Sequence, residues 1–509
     1  MNTSPARLGG KWRALAELPA LAGALYVLVL LVVTVAGRLS HPYDLEWMEG
    51  GMLLHALRVM EGKPLYVMPS GDFIPFIYPP LYHWLLGGLG SLLGGVDYLP
   101  GRVLSLLGTL TGVAALVVAL RREGGSWPMS IAVGGLFLST FDETGAFFDL
   151  VRIDGLLLAL WAWALVAIRC GWLRVGGLLL VAAFATKHHA AAFGLPALFW
   201  LWRTEGRPAA LRFAAWSVGP ALAFTLGMLS EGDGMFLTYL LGVPAGHGVV
   251  AERLFLTAPK ELALGLPVLT GGGLVGLVVS WRRWETGSVY WAVQCLLALV
   301  LACLMRGHVG GFKNVLIPGY WAVALAGGLG IVALRTRFPR LVVVLGASLL
   351  LGAQGWMGRW DSERFRPRPQ DEDAGDRVVA SLAAVEGPVL APWHPWLAVK
   401  AGKAPAFHLI ALWDIDHDWG PLHDEVDGIR GEIAAHRWGG IMTANDRPAY
   451  GIREHYERGP MVRPAGEALK PRTGWAVQPH RIWVPRAPVQ PSSGQVEAGP
   501  APEGVGRGE

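Results

Sequence analysis

The chain has 509 residues, of which 53% are hydrophobic and 16% are charged, and its mean hydropathy is +0.40. These values exclude a disordered chain and a nucleic-acid-binding protein, and they argue against an ordinary soluble enzyme. The formal net charge of +4 divides into +7 for residues 1–357 and −3 for residues 358–509. The first part therefore has the composition of a membrane protein, and the second that of a water-soluble one.

Apolar stretches recur along residues 1–357. A membrane helix needs about 20 mostly apolar residues, because about 30 Å of hydrocarbon is crossed at about 1.5 Å per residue. Eleven stretches, some of them short, are predicted as spans: 18–37, 101–120, 127–141, 150–169, 173–186, 189–202, 209–229, 260–280, 287–305, 314–334 and 340–357. We therefore predict a polytopic α-helical membrane protein with about eleven transmembrane helices.

A further apolar stretch, residues 79–96, decides the orientation of the later spans. With eleven spans and the N-terminus inside, the inner segments hold fifteen cations and four acids, and the outer segments ten cations and fourteen acids. This distribution obeys the positive-inside rule, whereas a twelfth span would move twelve of the fifteen inner cations outside. We therefore interpret residues 79–96 as an interfacial helix. The N-terminus is then cytoplasmic, and residues 358–509 are extracytoplasmic.

The first outer loop, residues 38–100, begins with three acids close to the end of the first span. Asp44, Glu46 and Glu49 are followed by a stretch with a helical pattern of apolar residues that starts at Met52. Acids at a membrane boundary can accept a proton or hold a divalent cation such as Mg²⁺ or Mn²⁺. The alternative is a solvated loop with a helix-capping residue.

A second acidic outer segment, DETGAFFDLVRID, lies between the third and fourth spans. Asp149, Arg152 and Asp154 run into the apolar stretch that follows, so we predict them at the start of a helix. Their spacing places Asp149 and Arg152 on one helical face, with Asp154 offset. These residues either belong to a functional site, or Asp149 and Arg152 neutralise each other as an ion pair.

Basic residues on the same outer face are candidates for binding a phosphate: Lys187, Arg306, His308 and Lys313. A cation near the bilayer edge suits a lipid phosphate, because the lipid tail stays in hydrocarbon while the charges pair. The alternative is that each side chain only reaches the interface from a span end. His247, in a glycine-rich outer loop, either borders a substrate channel or lies in an ordinary connector.

The water-soluble part is predicted to have three regions: a charged linker (358–377), a small extracytoplasmic α/β domain (378–485) and a disordered tail (486–509). The domain prediction depends on short apolar runs, a helical stretch near 423–437 and the strand-like RIWVP. The run WDIDHDWGPLHDE has alternating acids but lacks the glycine and terminal glutamate spacing of an EF-hand. A hydrated loop is therefore favoured there over a metal site.

Five motifs in order give the chain a resemblance to the GT-C superfamily of membrane glycosyltransferases, which use polyprenyl-phosphate-linked sugars. This superfamily includes protein O-mannosyltransferases and lipid A aminoarabinose transferases. The motifs are the acids Asp44 and Glu46 after the first span, then IYPPLYHWL, DLVRID, TKHHAAAFGLP and FKNVLIPGYWAVAL. The resemblance extends over about residues 15–335 and makes residues 1–357 a transmembrane catalytic module.

The resemblance implies that the acid just after the first span, Asp44, is the catalytic base. Glu46 is the alternative base, because this chain reads Asp-Leu-Glu where many members have adjacent Asp-Glu. The acids that would shape the site or hold a metal are Glu46, Asp149 and Asp154. If the site binds a metal, the candidate ligands are Asp44, Asp149 and Asp154. The residues that would bind phosphate are Arg152, Lys187, Arg306 and Lys313.

The implied reaction is an inverting transfer of a hexose or pentose at the outer face of a bacterial inner (plasma) membrane. An acceptor hydroxyl or amine loses its proton, attacks the anomeric carbon and displaces polyprenyl phosphate. The expected partners are the lipid-linked sugar donor, a lipid, glycan or protein acceptor, and membrane lipid. Two alternatives are a transporter or flippase for a lipid-linked saccharide, and a non-catalytic envelope assembly protein whose acids only set topology.

Overall fold

The structure is a computed structural model that describes residues 10–280 and 286–486. The α-helices up to residue 357 are α1 (Gly10–Ala36), α2 (Glu49–Met60), α3 (Leu81–Leu93), α4 (Tyr98–Arg122), α5 (Trp127–Phe137), α6 (Asp154–Arg169), α7 (Leu173–Phe184), α8 (Gly194–Thr204), α9 (Arg207–Leu229), α10 (Val243–Ala245), α11 (Ala258–Gly265), α12 (Pro267–Ser280), α13 (Thr286–Gly307), α14 (Ile317–Arg337) and α15 (Arg340–Met357). Short 3₁₀ helices cover Leu138–Thr140, His188–Phe193 and Lys313–Leu316, and π-helical turns cover Thr238–Gly242 and Arg253–Thr257. Residues 487–509, most of the predicted tail, lie outside the described residues.

Each predicted span contains a helix, but the helices differ in length. Among the described residues, six helical segments are long and apolar enough to cross a membrane: Leu15–Ala36, Tyr98–Arg122, Arg207–Leu229, Gly287–Gly307, Lys313–Arg337 and Arg340–Met357. The protein is therefore a multi-pass membrane protein. The stretch at 79–96, which was predicted to lie at the membrane interface, contains the short helix α3. The helical pattern that starts at Met52 lies in α2.

The span predicted over 260–280 is not one straight helix. It is bent by 99° between Arg253–Gly265 and Pro267–Val279. Leu266, at the bend, has φ −134° and ψ 61°, outside the helical region. The cause is Pro267, which lacks an amide hydrogen and disfavours helical geometry in the residue before it.

The fourth span begins later than predicted, and this changes the second acidic segment. Helix α6 starts at Asp154, and residues 141–153 form a series of turns. Their carbonyl groups are satisfied from α4: Thr109 Oγ1 donates to Phe148 O (2.8 Å), and Ser105 Oγ donates to Arg152 O (2.9 Å). The prediction that Asp149 and Arg152 share a helical face is therefore wrong.

Helices α4 and α6 pack with their backbones in contact, and this contact fixes the position of Asp154 along α4. A Cβ atom on Gly108 would lie 2.6 Å from the carbonyl oxygen of Gly155, and one on Gly155 would overlap the carbonyl of Ser105. Small residues allow such close helix contacts in membranes. The start of α6 is thereby held against the part of α4 around Ser105 and Gly108.

Two buried ion pairs fix the irregular chain between α1 and α2. The Arg102 guanidinium, on α4, donates to Glu49 Oε1 (3.0 Å) and Oε2 (2.7 Å) and to the carbonyls of His41 (2.6 Å) and Tyr43 (2.7 Å). The second pair joins Arg38 Nε to Asp149 Oδ2 at 2.9 Å. All four charged side chains of these two pairs are fully buried. The path of residues 38–49 is therefore set by side chains rather than by regular secondary structure.

The C-terminal part, residues 358–486, contains helices and a small mixed sheet. Its elements are α16 (Ser362–Phe365), α17 (Pro369–Ala383), β1 (Val389–Leu390), α18 (Pro395–Lys400), α19 (Leu409–Ile415), α20 (Glu425–Ala434), β2 (Gly440–Thr443), α21 (Ile452–His455), β3 (Tyr456–Met461) and β4 (Arg481–Pro485). The strand order is β1-β2-β4-β3, with β1 parallel to β2 and the other pairs antiparallel. The predicted helix near 423–437 and the strand RIWVP correspond to α20 and β4.

The C-terminal part and the first loop share a hydrophobic core. Buried residues of the loop, such as Trp47 and Leu53, belong to one cluster with Trp396 and Trp483. Helix α17 begins inside the predicted linker, and its Gly375 packs directly on the ring of Tyr43. The C-terminal part therefore packs directly on the first loop, which carries Asp44 and Glu46.

Arg102→Met is expected to destabilise the protein by about 3–5 kcal/mol, because it leaves the Glu49 carboxylate buried without a partner. The measurement is the thermal unfolding midpoint of the detergent-solubilised protein. Lys63→Met is the control, because Lys63 pairs with Glu61 at the surface (2.8 Å) and its loss should leave the midpoint nearly unchanged. Equal midpoints for Arg102→Met and the wild-type protein would show that the pair does not fix the loop.

Candidate functional site

The carboxylate of Asp44 lies where the first loop meets the C-terminal part. Its Oδ1 accepts hydrogen bonds from the backbone N–H of Gly50 (2.9 Å) and from the hydroxyl of Tyr98 (2.9 Å). Its Oδ2 lies 3.2 Å from Nδ1 of His394, which carries the proton because an ionised carboxylate only accepts. Burial raises the pKa of Asp44, and the hydrogen bond from His394 opposes that rise. Asp44 is therefore an oriented carboxylate with proton affinity above the ordinary value.

Glu46 has fewer hydrogen bonds than Asp44. Its Oε2 accepts from the backbone N–H of Met48 (3.3 Å) and lies 3.5 Å from Nη1 of Arg152. Burial raises the pKa of Glu46 to about 8, although Arg152 acts in the opposite direction. A general base or acid with a pKa near the working pH is effective, so Glu46 stays an alternative to Asp44.

A segment of the C-terminal part covers Glu46. The backbone N–H groups of Arg472 (2.8 Å) and Thr473 (3.2 Å) donate to the carbonyl of Leu45. The next residue, Gly474, has φ +71°, and a Cβ atom there would lie 2.6 Å from Glu46 Oε1. Glycine is needed at this position both for its backbone conformation and for its lack of a side chain.

Arg152 connects the acids of the first loop to the start of α6. Its guanidinium donates to the hydroxyl of Tyr78 (3.2 Å), and its Nε is buried without a hydrogen-bond partner among the described residues. Burial raises the pKa of Tyr78; Arg152 opposes the rise, and the carboxylates of Asp154, Asp414 and Glu46 add to it. Four charged side chains therefore act on the Tyr78 hydroxyl, and one donor of Arg152 has no partner within the part of the chain that the structure describes.

Lys187 and Asp154 form the part of the site nearest the helix bundle. Lys187 Nζ lies 3.5 Å from Asp154 Oδ1, and both Asp154 oxygens accept from Asn314 Nδ2 at 3.0 Å. A small, mostly apolar cleft, with a cavity volume of about 10 Å³, is lined among others by Leu157, Trp161, His189, Phe193, Ala298 and Pro318. Leu157 and His189 follow Asp154 and Lys187 closely along the chain, so this apolar cleft adjoins the buried Lys187–Asp154 pair.

Two predicted site residues have structural partners instead. Glu49 is paired with Arg102 and also accepts from the backbone N–H groups of Leu45 (2.7 Å) and Val151 (2.8 Å). Burial raises the pKa of Glu49, but Arg102 and these hydrogen bonds outweigh it, so the pKa is lowered. Asp149 is paired with Arg38, so the alternative in which Asp149 and Arg152 form an ion pair is wrong. Glu49 and Asp149 position the backbone rather than face a ligand.

The remaining predicted cations are also paired with acids. Arg306 donates to both oxygens of Glu261 (2.9 and 3.1 Å), and Lys313 lies 3.9 Å from Glu143. Neither contacts the group formed by Asp44, Glu46, Arg152 and Lys187.

The two predicted histidines lie together under the C-terminal part. The rings of His247 and His308 are 4.8 Å apart, and His417 lies 4.6 Å from His247 on its other side. His247 Nε2 is 3.1 Å from the carbonyl oxygen of Asp414, and burial lowers the pKa of His247. This cluster joins the glycine-rich loop to α19.

The predicted metal ligands Asp44, Asp149 and Asp154 are not brought together. Asp44 binds Tyr98 and His394, Asp149 binds Arg38, and Asp154 binds Asn314. Within residues 10–280 and 286–486, no group of three or more His, Cys, Asp or Glu side chains is arranged to hold a metal ion. The residues present do not fit a divalent cation, and no step of the proposed reaction uses one.

The sequence reasoning missed several residues that the structure brings to the site: Tyr78, Tyr98, Arg102, Asn314 and His394. Some carried a signal, because Arg102 and Asn314 are polar residues at the ends of predicted spans, where burial is costly. His394 carried none: it is 350 residues from Asp44 along the chain. Only the packing of the C-terminal part on the first loop reveals that contact.

Comparison with known proteins identifies the fold. No protein-family model and no curated protein matches the sequence. Two crystal structures of ArnT from Cupriavidus metallidurans each match 83% of this chain. The apo form matches with a TM-score of 0.56 and 14% sequence identity, over 92% of its own length. The form bound to undecaprenyl phosphate matches with a TM-score of 0.54 and 15% sequence identity, over 93% of its own length. The apo oligosaccharyltransferase of Archaeoglobus fulgidus matches 86% of this chain and 70% of its own, with TM-score 0.51 and 11% identity. The chain has the fold of GT-C glycosyltransferases, so the predicted resemblance is confirmed for the fold.

Proposed function

We propose that this protein with a GT-C fold is an inverting glycosyltransferase that uses a polyprenyl-phosphate-linked sugar. One observation carries the proposal: an oriented carboxylate, Asp44, acts electrostatically on Glu46, which is paired with Arg152, and Arg152 acts in the same way on a second buried cation, Lys187. The cations suit a phosphate, and apolar side chains next to Lys187, such as Leu157 and Phe193, suit contact with its lipid chain. A protein of the same fold, ArnT, has been solved bound to undecaprenyl phosphate, a ligand of this class.

In the proposed reaction, Asp44 removes the proton from an acceptor hydroxyl or amine. The acceptor oxygen or nitrogen attacks the anomeric carbon from the side opposite the phosphate, and the bond between that carbon and the phosphate oxygen breaks. Polyprenyl phosphate leaves with the electron pair, and the anomeric configuration inverts. Arg152 and Lys187 stabilise the charge that develops on the phosphate, as fixed cations in a buried site do.

His394 and Tyr98 keep Asp44 in place during this reaction. Each donates a hydrogen bond to a different carboxylate oxygen, so the carboxylate is held in one plane while a lone pair of Oδ2 stays available. Glu46 lies beside Arg152 and is the alternative base. The donor sugar is a hexose or a pentose in this proposal.

In the proposed orientation, this site lies on the extracytoplasmic side of the bacterial inner membrane. In this proposal the chain crosses the membrane eleven times. Six of the described helices, and the bent α11–α12 pair counted as one crossing, are long and apolar enough to be spans. The N-terminus is cytoplasmic, and the first loop and the C-terminal part lie on the extracytoplasmic side. Residues 358–377 connect the membrane module to a domain at 378–485, which closes over Asp44 and Glu46.

Asp44→Asn is expected to abolish sugar transfer, because asparagine keeps the size of the side chain but cannot accept the proton. The measurement is release of polyprenyl phosphate from a synthetic polyprenyl-phosphate sugar by purified protein in lipid nanodiscs. Glu61→Gln is the control, because Glu61 is an exposed acid of the same loop. Full activity of Asp44→Asn together with loss of activity in Glu46→Gln would assign the base to Glu46 instead.

His394→Leu is expected to lower kcat roughly 10- to 100-fold and leave KM for the donor unchanged, because it removes one hydrogen bond to a charged group. His394→Asn should recover most of the activity, since its amide can donate to Asp44 from a similar position. Steady-state kinetics of both variants make the test. If leucine and asparagine are equally harmful, or if KM changes and kcat does not, His394 does not act through Asp44.

A further inference from the structure

Three tryptophans from three separate segments meet beside Glu46. Trp47 follows Glu46 in the first loop, Trp413 lies on α19, and Trp475 follows Gly474. The ring of Trp475 is 5.1 Å from that of Trp47 at a right angle and 5.0 Å from that of Trp413 at 43°. Trp47 and Trp413 are 6.0 Å apart. The three rings therefore form one aromatic cluster, which we call the tryptophan platform.

The tryptophan platform reaches from the core to solvent. Trp47 is buried, Trp413 is half-buried and 46% of the Trp475 surface is exposed. Gly474 lies against the Glu46 carboxylate, so Trp475 is one residue away from the wall of the proposed reaction site. The exposed part of Trp475 is therefore accessible to a molecule at the protein surface beside the wall of the site.

A carboxylate without a hydrogen-bond donor among the described residues follows one of these tryptophans in the chain. Asp414 follows Trp413 on α19, and its nearest basic partner, His247 Nε2, is 3.8 Å from Oδ1. Among the described residues no donor makes a hydrogen bond to either carboxylate oxygen, although only 17% of the side chain is exposed. Burial raises the pKa of Asp414 to about 7. Asp414 is also one of the acids whose charge acts on Tyr78, so it lies close to the Arg152 group.

We propose that the tryptophan platform and Asp414 form a subsite for a saccharide acceptor. A sugar ring has a C–H face, which packs on the negative face of an aromatic ring, and hydroxyl groups at its edge. Those hydroxyl groups can donate to the unpartnered carboxylate of Asp414. This inference depends on the proposed function, because it names the acceptor class of that same reaction.

The charges around the platform favour a saccharide over an anionic lipid acceptor. A second phosphate would need a cation, and the nearby Arg472 is already paired with Asp371. A neutral, hydroxyl-rich ring needs no cation. A peptide acceptor is the competing class, and the experiment below includes it as an outcome.

The test measures binding rather than transfer. The full-length protein in lipid nanodiscs is titrated with neutral di- to tetrasaccharides of hexoses and pentoses, with serine- and threonine-containing peptides, and with lipid A, using saturation-transfer NMR. At least one oligosaccharide should bind, and Trp475→Ala should weaken that binding about 5- to 10-fold. Trp475→Phe should keep most of the affinity, and Asp414→Asn should reduce it.

Trp419→Ala is the matched control, because Trp419 is in the same C-terminal part and is 94% exposed. It should bind the oligosaccharide as the wild-type protein does. The proposal is overturned if no oligosaccharide binds, if only peptides or lipid A bind, or if Trp475→Ala binds as tightly as wild type. Binding of undecaprenyl phosphate to the same preparation separates the two proposals: if it binds and no oligosaccharide does, the saccharide subsite fails and the glycosyltransferase proposal stands.

Discussion

The buried guanidinium of Arg102 is the interaction on which the site depends. It binds the carbonyls of His41 and Tyr43 on one side of Asp44 and the Glu49 carboxylate on the other. Glu49 in turn accepts from the backbone of the first loop and of the second acidic segment. One cation on the first turns of α4 therefore fixes the loop that carries Asp44 and Glu46. A buried ion pair contributes little net stability, so we attribute its presence to the geometry that it imposes.

The site is completed from the other end of the chain. His394 contacts Asp44, and Gly474 lies against Glu46, so the C-terminal part provides both a hydrogen bond and a wall. The shared hydrophobic core fixes these contacts, because the first loop has little regular structure beyond α2 and α3. The membrane part supplies the cations and the apolar cleft, and the C-terminal part supplies Trp413 and Trp475 of the tryptophan platform. Donor and acceptor would then approach Asp44 from opposite sides.

Some of this could be predicted from the sequence because composition and spacing determine it. Apolar runs placed the helices, and the sorting of charges placed Asp44, Glu46, Arg152, Asp154 and Lys187 on one face. The errors have identifiable causes. The Asp149–Arg152 pairing assumed a helix, but side chains of α4 satisfy the carbonyls there and the chain forms turns. The straight span over 260–280 ignored the effect of Pro267 on Leu266.

The remaining contacts depend on tertiary packing. The role of Glu49 as a structural acid follows from Arg102, which is 53 residues away in sequence. The contacts of His394 and Trp475 with the first loop join segments separated by most of the chain. Neither spacing nor composition records such contacts, so the sequence predicted the face of the protein that carries the site but not the second half of the site.

The most direct test of the account is an electron cryo-microscopy structure of the protein in nanodiscs with a non-hydrolysable polyprenyl-phosphonate sugar. We expect density for the phosphonate at Lys187 and Arg152, and density for the lipid chain beside Leu157 and Phe193 of the cleft. The anomeric carbon should face Asp44. Phosphonate density at Arg306 and Lys313 instead, with Asp44 remote from the sugar, would contradict it.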